Sequence, residues 1–413
     1  MIYGDRLRQA RILRHEKLAD IAAILGHTSS ALSKRERSET IEISSEQLEL
    51  LASKLRFPKE YFTHPPISPL GETDLLYRAP KSTLKREKDF LREFMRFTSE
   101  LIEWLDDRRQ LPPVSIRPQA REGIDIKEAA RATRESLGVS ATDPIDYLTH
   151  PVERAGVVVV VRRRRLSDNT TGSESAPVPL ERHEGCSAWV GEFRDRPLIV
   201  MRSVQTWEKT RWVLSHELGH LILHAGRMPV TEHAEEEASQ FASELLAPID
   251  CVRRDLPKTI TLSNLIRVKL KWGISLAALI RHLHGNGLIS DKRKSTLYAQ
   301  LYTRKNPDTG RTFGVTEPGW DARNPERPRL IAAWLSRVVG SAIPEAVASS
   351  TKMWPVDLLS EIIAEQRPAP TRAPTATSKN AESKPGQVIQ LSLKRKVSSD
   401  DELSMDLTSD GRS

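Results

Sequence analysis

The amino-acid sequence predicts an α+β protein: an all-α N-terminal unit, a mixed unit with a small sheet, a mainly helical C-terminal part and a disordered tail. Three observations carry that expectation. Residues 1–66 break into short stretches of helical periodicity separated by tight turns. An apolar β-branched run, Val157 to Val161, and two further strand patterns near 185–190 and 197–202 precede two amphipathic helical segments. From about residue 367 the chain is rich in Pro, Ser, Thr, Lys and Asp and poor in large apolar side chains, so it cannot bury enough surface to offset its ordering entropy.

The composition bounds what such a chain can be. Its 413 residues suffice for two or three domains, and 38% hydrophobic with 29% charged residues is ordinary for a globular protein. No apolar stretch approaches the ~20 residues of a membrane span, so no membrane partner is expected. The opening MIYGDRLRQAR lacks the apolar core of a secretory signal and reads as the start of a helix. Two cysteines, Cys186 and Cys251, cannot build a disulfide framework, which fits a reducing, cytoplasmic setting. Any metal site must therefore rest on imidazole and carboxylate. The net charge of +8 favours a polyanionic partner. Residues 1–37 hold eight Lys/Arg against four Asp/Glu, while residues 38–62 hold three against five, which puts the excess on the first three helices.

Residues 1–66 form the first expected domain. Within it, Ile21 to Lys34 reads as two crossing helices: Ala22 permits close approach, Gly26 supplies the turn and Leu32 packs back. The second helix would present Thr28, Ser29, Ser30, Ser33 and Lys34 to a major groove, with Arg35 and Arg37 beside them for phosphates. A linker, 67–120, starts around Pro65, Pro66 and Pro69. It contains a long amphipathic helix over 85–106 with Phe90, Phe94, Phe97, Leu101 and Leu105 on one stripe, ended by Pro112 and Pro113.

The mixed domain, 121–255, begins with helices over 126–137 and 144–155 and the valine strand. A polar loop at 166–184, the two further strands, and helices over 205–225 and 233–247 complete it. In the first of these last two helices stands the run Ser215-His216-Glu217-Leu-Gly-His220-Leu-Ile-Leu-His224. Residues i and i+4 of a helix lie one above the other about 6 Å apart, so His216 and His220 can converge on one tetrahedral Zn²⁺ while Glu217 points at the open position as general base. Leu214, Leu218, Leu221 and Ile222 give this helix an apolar back. His224 lies too far along the helix to be the third ligand and serves better as a cap or an outer partner. The third ligand is sought in the next helix, where Glu235 extends a stripe formed by Ala238, Ala242 and Leu245. An inward carboxylate is costly unless a metal takes it; Glu236 and Glu237 fall off the stripe and are expected in solvent. The alternative is that all three acids form a solvated face.

The run HELGHLILH followed by EEEASQFASELLAP, preceded by TRWVLSHE and CSAWVGEFRDRPLIVM, resembles the ImmA/IrrE family of bacterial metallopeptidases, a gluzincin-type group. The similarity spans about 125–320. It implies a zincin-like domain, one zinc ion per chain, His216, His220 and Glu235 as ligands and Glu217 as the base. It also implies cleavage or control of helix-turn-helix repressors in stress and mobile-element responses. Ser239 stands where Asn or Asp is usual, and the 166–184 loop looks like an insertion.

The N-terminal segment, with RLRQAR before it and LELLASKLRFPKEYF after, resembles the Xre/Cro family of DNA-binding domains, although Leu18, His27 and Arg35 depart from its pattern. Such a segment could instead be kept for protein contact.

Residues 256–366 are expected to be mainly helical, with helices over 262–272, 275–284 and 354–365 and less regular sequence between, and 367–413 to be the disordered tail. Arg162–Arg165 is read as a solvated cation block, with nucleic-acid contact as the alternative.

The function expected is a bacterial transcriptional regulator that binds double-stranded DNA, with a zinc endopeptidase domain acting on a helix-turn-helix repressor; a homodimer is a candidate assembly. Two alternatives stand beside it: a transcription factor whose peptidase-like domain only senses or binds, and a toxin–antitoxin-like regulator.

Overall fold

A computed structural model describes residues 1–66, 70, 75–76, 85–119, 123–162, 185–202, 206–226 and 231–366. The polar loop expected at 166–184, residues 163–165 of the arginine block and the tail from 367 lie outside these residues.

The N-terminal unit runs β1 (Ile2–Tyr3), α1 (Gly4–Leu13), α2 (Leu18–Ile24), α3 (Ser29–Arg35), β2 (Thr40–Ile41), α4 (Ser45–Leu55) and α5 (Lys59–Thr63). Local capping chemistry sets its helix starts. Thr28 Oγ1 accepts from the Ala31 N–H at the start of α3, and Ser44 with Gln47 makes a reciprocal capping box on α4. The antiparallel ribbon pairing Ile2 with Ile41 was not expected, because two-residue strands are too short to show alternation.

Next comes α6 (Lys85–Arg108), whose stripe Phe90, Phe94, Phe97, Leu101 and Leu105 is buried as the periodicity predicts. Charge joins the N-terminal unit to it. Buried Arg6 pairs with buried Glu100, Arg96 pairs with Asp5, and Arg8 lies 3.4 Å from Glu93. Arg11 holds Glu36 at 2.6 Å and Arg14 pairs with Asp357 near the far end of the chain. Four of the eight cations in 1–37 are thus engaged by acids within the protein.

The mixed region continues with α7 (Ile126–Ser136), α8 (Thr149–Arg154), β3 (Val158–Val161), β4 (Gly185–Val190), β5 (Arg196–Met201), α9 (Trp207–Leu223), α10 (Glu232–Leu246) and α11 (Ile249–Asp255). The helix expected over 144–155 starts only at Thr149. Its missing turns are replaced by side chains that satisfy the backbone: Arg211 takes the Ile145 and Asp146 carbonyls, and Glu326 accepts from the Leu148 and Thr149 N–H groups.

The three strands are ordered β3-β5-β4, with β3 parallel and β4 antiparallel to β5. Val158, Val160, Cys186, Leu198 and Val200 share one apolar cluster with α6 and the last helices, whereas Val159, Val161, Ile199 and Met201 share another with α7 to α10. A sheet covered on both faces explains why the valine run shows no polar alternation. Arg162, at the end of β3, pairs with Glu361 at 2.9 Å and lies over the Phe90 ring, a structural use in place of the solvated one expected.

The C-terminal helices are α12 (Leu262–Trp272), α13 (Leu276–Gly285), α14 (Asp291–Thr303), α15 (Leu330–Val338), α16 (Pro344–Thr351) and α17 (Val356–Ile363). Of these, α14, α15 and α16, like α11, were not expected. In α14 only Leu297 and Leu301 are buried, too thin a stripe to read. Met1–Pro370 packs as one compact unit. Among the described residues no helix is long and apolar enough to cross a membrane.

Candidate metal centre

Nearly every turn of α9 is buried, with Leu214, Leu218, Leu221 and Ile222 in the apolar cluster beneath the sheet. Small residues bring α10 against it. A Cβ added at Gly219 would lie 3.0 Å from Phe241 Cδ1 and 3.2 Å from Ala238 Cα, so the two helices touch at backbone level. That approach sets Glu235, in the first turn of α10, opposite His216 and His220.

The two Nε2 atoms are 3.2 Å apart; Glu235 Oε2 lies 3.3 Å from His216 Nε2, and Oε1 lies 3.5 Å from His220 Nε2. Two ligands each 2.0–2.1 Å from a tetrahedral zinc ion stand about 3.3–3.4 Å apart. The spacing thus fits one small ion at the centre. Among the described residues, this is the one group of three His, Cys, Asp or Glu close enough to share an ion.

The electrostatics suit ligation. His220 is 1% exposed, and burial pushes it down to about 4, which keeps its imidazole neutral. Burial pushes the Glu235 carboxyl up, but hydrogen bonds with His216 and His220 outweigh it and hold it well below the usual carboxylate range. Ser239 Oγ lies 3.4 Å from His216 Nδ1, in the place that fixes a ligating ring from behind. Glu217 is buried beside this group. Burial pushes its carboxyl up to about 7, against the pull of His216 and of the Ser187 hydroxyl, which donates to Oε2 at 2.9 Å. A carboxyl poised there is suited to accept a proton near neutrality.

Residues 153–284 match the family model of the IrrE N-terminal-like domain, Peptidase_M78. The family is one of metallopeptidases, generally zinc-dependent. The M78-like stretch begins at the end of α8, contains the whole sheet and the α9–α10 pair, and ends within α13. No curated protein matches the chain.

Three features of the M78-like centre were not visible in sequence. At Gly185, β4 crosses directly over the base: a Cβ there would meet Glu217 Oε1 at 2.8 Å and Cγ at 2.9 Å. Ser187, two residues on, hydrogen-bonds the base. Glu237, expected in solvent, is half-buried and lies 3.0 Å from His224 Nε2, whereas Glu236 is exposed.

The segment read as a linker also reaches this strand. Leu76 donates its N–H to the Ser187 carbonyl at 2.8 Å in an antiparallel bridge, and both Leu75 and Leu76 are buried.

In the N-terminal unit, Gly26 has φ +68 and turns α2 into α3, Ala22 and Leu32 are buried, and Thr28, Ser29, Ser30, Lys34 and Arg37 are exposed. Ser33 is half-buried, with its Oγ 3.4 Å from Arg37 Nη2.

Proposed function

We propose that this protein is a DNA-binding regulator with a zinc-dependent endopeptidase centre of the HExxH-plus-Glu type, and that its substrate is a helix-turn-helix repressor. The observation that carries the peptidase reading is the meeting of His216, His220 and Glu235 at 3.2–3.5 Å with buried Glu217 beside them. Zinc held by those three groups would supply Lewis acidity, making a water more acidic and polarising the scissile carbonyl. The chain's own residues supply the rest. Glu217 takes the proton of the attacking water and later returns it to the leaving amine. Ser187 holds that carboxylate in place, and the small residues of the α9–α10 contact keep the ligands at ion spacing.

The exposed face of α3, with Thr28, Ser29, Ser30 and Lys34 and with Arg37 just beyond, supports duplex DNA as partner through its donors and cations. The regulator reading joins the two parts: a chain that sits on DNA beside a repressor can remove it by cleavage.

The deciding experiment incubates wild type and Glu217→Gln with candidate repressors. Glu217→Gln should keep zinc and lose cleavage, and His216→Ala should lose both. Equal cleavage by Glu217→Gln rules out the assigned base. A second reading, in which the centre binds metal without hydrolysis, draws on Leu76 pairing with β4 beside Glu217; full zinc content with no cleavage of any repressor would favour it.

A further inference from the structure

In the order β3-β5-β4, the strand β4 has β5 on one side only, and its other edge carries backbone groups that can template a further strand. Leu76 takes part of that edge, its N–H donating to the Ser187 carbonyl at 2.8 Å in an antiparallel bridge. Leu75 and Leu76 are each 3% exposed. Leu75 packs in the apolar cluster that holds Phe94 and Val200, and Leu76 in the one that holds Ile199 and Leu218. Consecutive side chains going to opposite faces of a sheet is what an added strand does. The two leucines therefore lie on β4 in the manner of one.

The bridge falls at the residue that touches the assigned base. Ser187 Oγ donates to Glu217 Oε2 at 2.9 Å, and the Leu76 carbonyl oxygen lies 3.5 Å from the same Oγ. Two residues earlier, β4 passes so close to Glu217 that a Cβ at Gly185 would meet Oε1 at 2.8 Å. A strand edge at such a place suits an extended peptide, with main-chain hydrogen bonds giving affinity and alternate side chains giving selectivity. Here the chain's own segment makes the main-chain contact, so a peptide from solution meets an edge already paired at Ser187. Both leucines belong to the connection between α5, which ends at Thr63, and α6, which begins at Lys85. The occupant is thus tethered and competes at a high effective concentration.

We propose that Leu75 and Leu76 occupy, within the same chain, the strand position that a peptide substrate must take at β4, so that the protein restrains its own centre until this segment is displaced. The proposal rests on the reading of the centre as a peptidase. It also gives the substrate a chemistry: an extended segment with two adjacent large aliphatic side chains, one for each face of the sheet. Among the described residues the pairing is a single bridge, so a peptide that forms a longer ladder along β4 can replace it.

The test uses full-length, zinc-loaded protein and a fluorescent peptide that copies residues 71–80. Binding is read by anisotropy in the Glu217→Gln background, which prevents turnover. Leu76→Pro removes the N–H of the bridge and should raise peptide affinity by about tenfold or more, because the tethered competitor is released. Leu76→Asp keeps that N–H but brings a charge into an apolar cluster, and should free the same edge if a thermal melt finds Leu76→Pro unfolded. Equal peptide affinity in the folded variant and its parent overturns the occupancy. With Glu217 intact, the variant should also cleave a helix-turn-helix repressor about tenfold faster than wild type, or cleave one that wild type leaves whole. Tighter peptide binding with an unchanged, measurable cleavage rate overturns the restraint. If neither protein cleaves while the variant binds the peptide more tightly, the peptidase reading fails and takes the restraint with it, whereas the occupied edge stands.

Discussion

Gly185→Ala is the smallest change that should separate catalysis from metal binding. The added Cβ would sit 2.8 Å from Glu217 Oε1 and 2.9 Å from Cγ, against 3.4 Å where ordinary contact begins, a shortfall of 0.6 Å at the carboxylate oxygen. Backbone on β4 is held by its ladder with β5, where Gly185 pairs with Met201, so the Glu217 side chain must give way. Rotating it out breaks the 2.9 Å hydrogen bond from Ser187 and moves the base from its water. Misplacement by about 1 Å costs on the order of 100-fold in rate, so a shift of roughly half that should cost about 10–100-fold in kcat/KM, or ~1.4–2.7 kcal/mol. None of the three candidate ligands lies among the nearest atoms, so zinc content and affinity should stay near wild type. The assay is steady-state cleavage of a repressor substrate beside chelator competition, with a thermal melt to establish that the variant folds. Wild-type cleavage by a folded, zinc-loaded Gly185→Ala would refute the placement of Glu217 as base; loss of zinc would show that β4 supports the ligands themselves.

The remaining predictions concern the ligands, the fold and the N-terminal unit. Glu235→Ala should weaken zinc binding by more than the roughly 10–100-fold typical of an outer partner, and chelator competition against Glu236→Ala as control checks it. Burial pushes Glu153 up to about 7, against the N–H groups of Leu330 and Arg329 that it caps. The folded protein therefore holds that proton more tightly than the unfolded chain. Its contribution to stability is full below the ordinary carboxylate range and is lost as pH rises through 7, a change of up to ~3 kcal/mol. Urea melts of wild type and Glu153→Gln at pH 4.5 and 7.5 should therefore diverge, with wild type losing ground at the higher pH; a constant difference would sink the assignment. Arg211→Leu strands buried Glu326 and should destabilise by roughly 3–5 kcal/mol, measurable as a shift in the urea midpoint. Lys34→Ala and Arg37→Ala, if each removes one phosphate contact, should each lower the slope of log affinity against log salt by about 0.9; unchanged slopes would favour protein contact over DNA.

Legibility in the sequence followed the strength of local signals. The α6 stripe, the valine strand and the α9–α10 pair declared themselves because periodicity and spacing act within one element, and the geometry of two adjacent helices was enough to nominate His216, His220 and Glu235, which the fold brings together. Elements with thin apolar stripes, such as α14, gave no such signal, nor did β1 and β2, whose pairing joins Ile2 to Ile41 across three intervening helices. Long-range partners were equally silent. Nothing local to Arg6 announces Glu100, and nothing near Gly185 announces that Glu217 passes beneath it. The misjudged Glu237 shows the same limit from the other side: stripe membership says which way a residue leans on its own helix, but a histidine on the neighbouring helix can still draw a carboxylate inward.

Zinc K-edge X-ray absorption on the purified protein tests the centre most directly. One zinc per chain is expected, with nitrogen and oxygen ligands alone at about 2.0–2.1 Å and the multiple-scattering signature of two imidazoles. A sulfur shell near ~2.3 Å, or protein that takes up no zinc while remaining folded, would contradict the assignment of His216, His220 and Glu235.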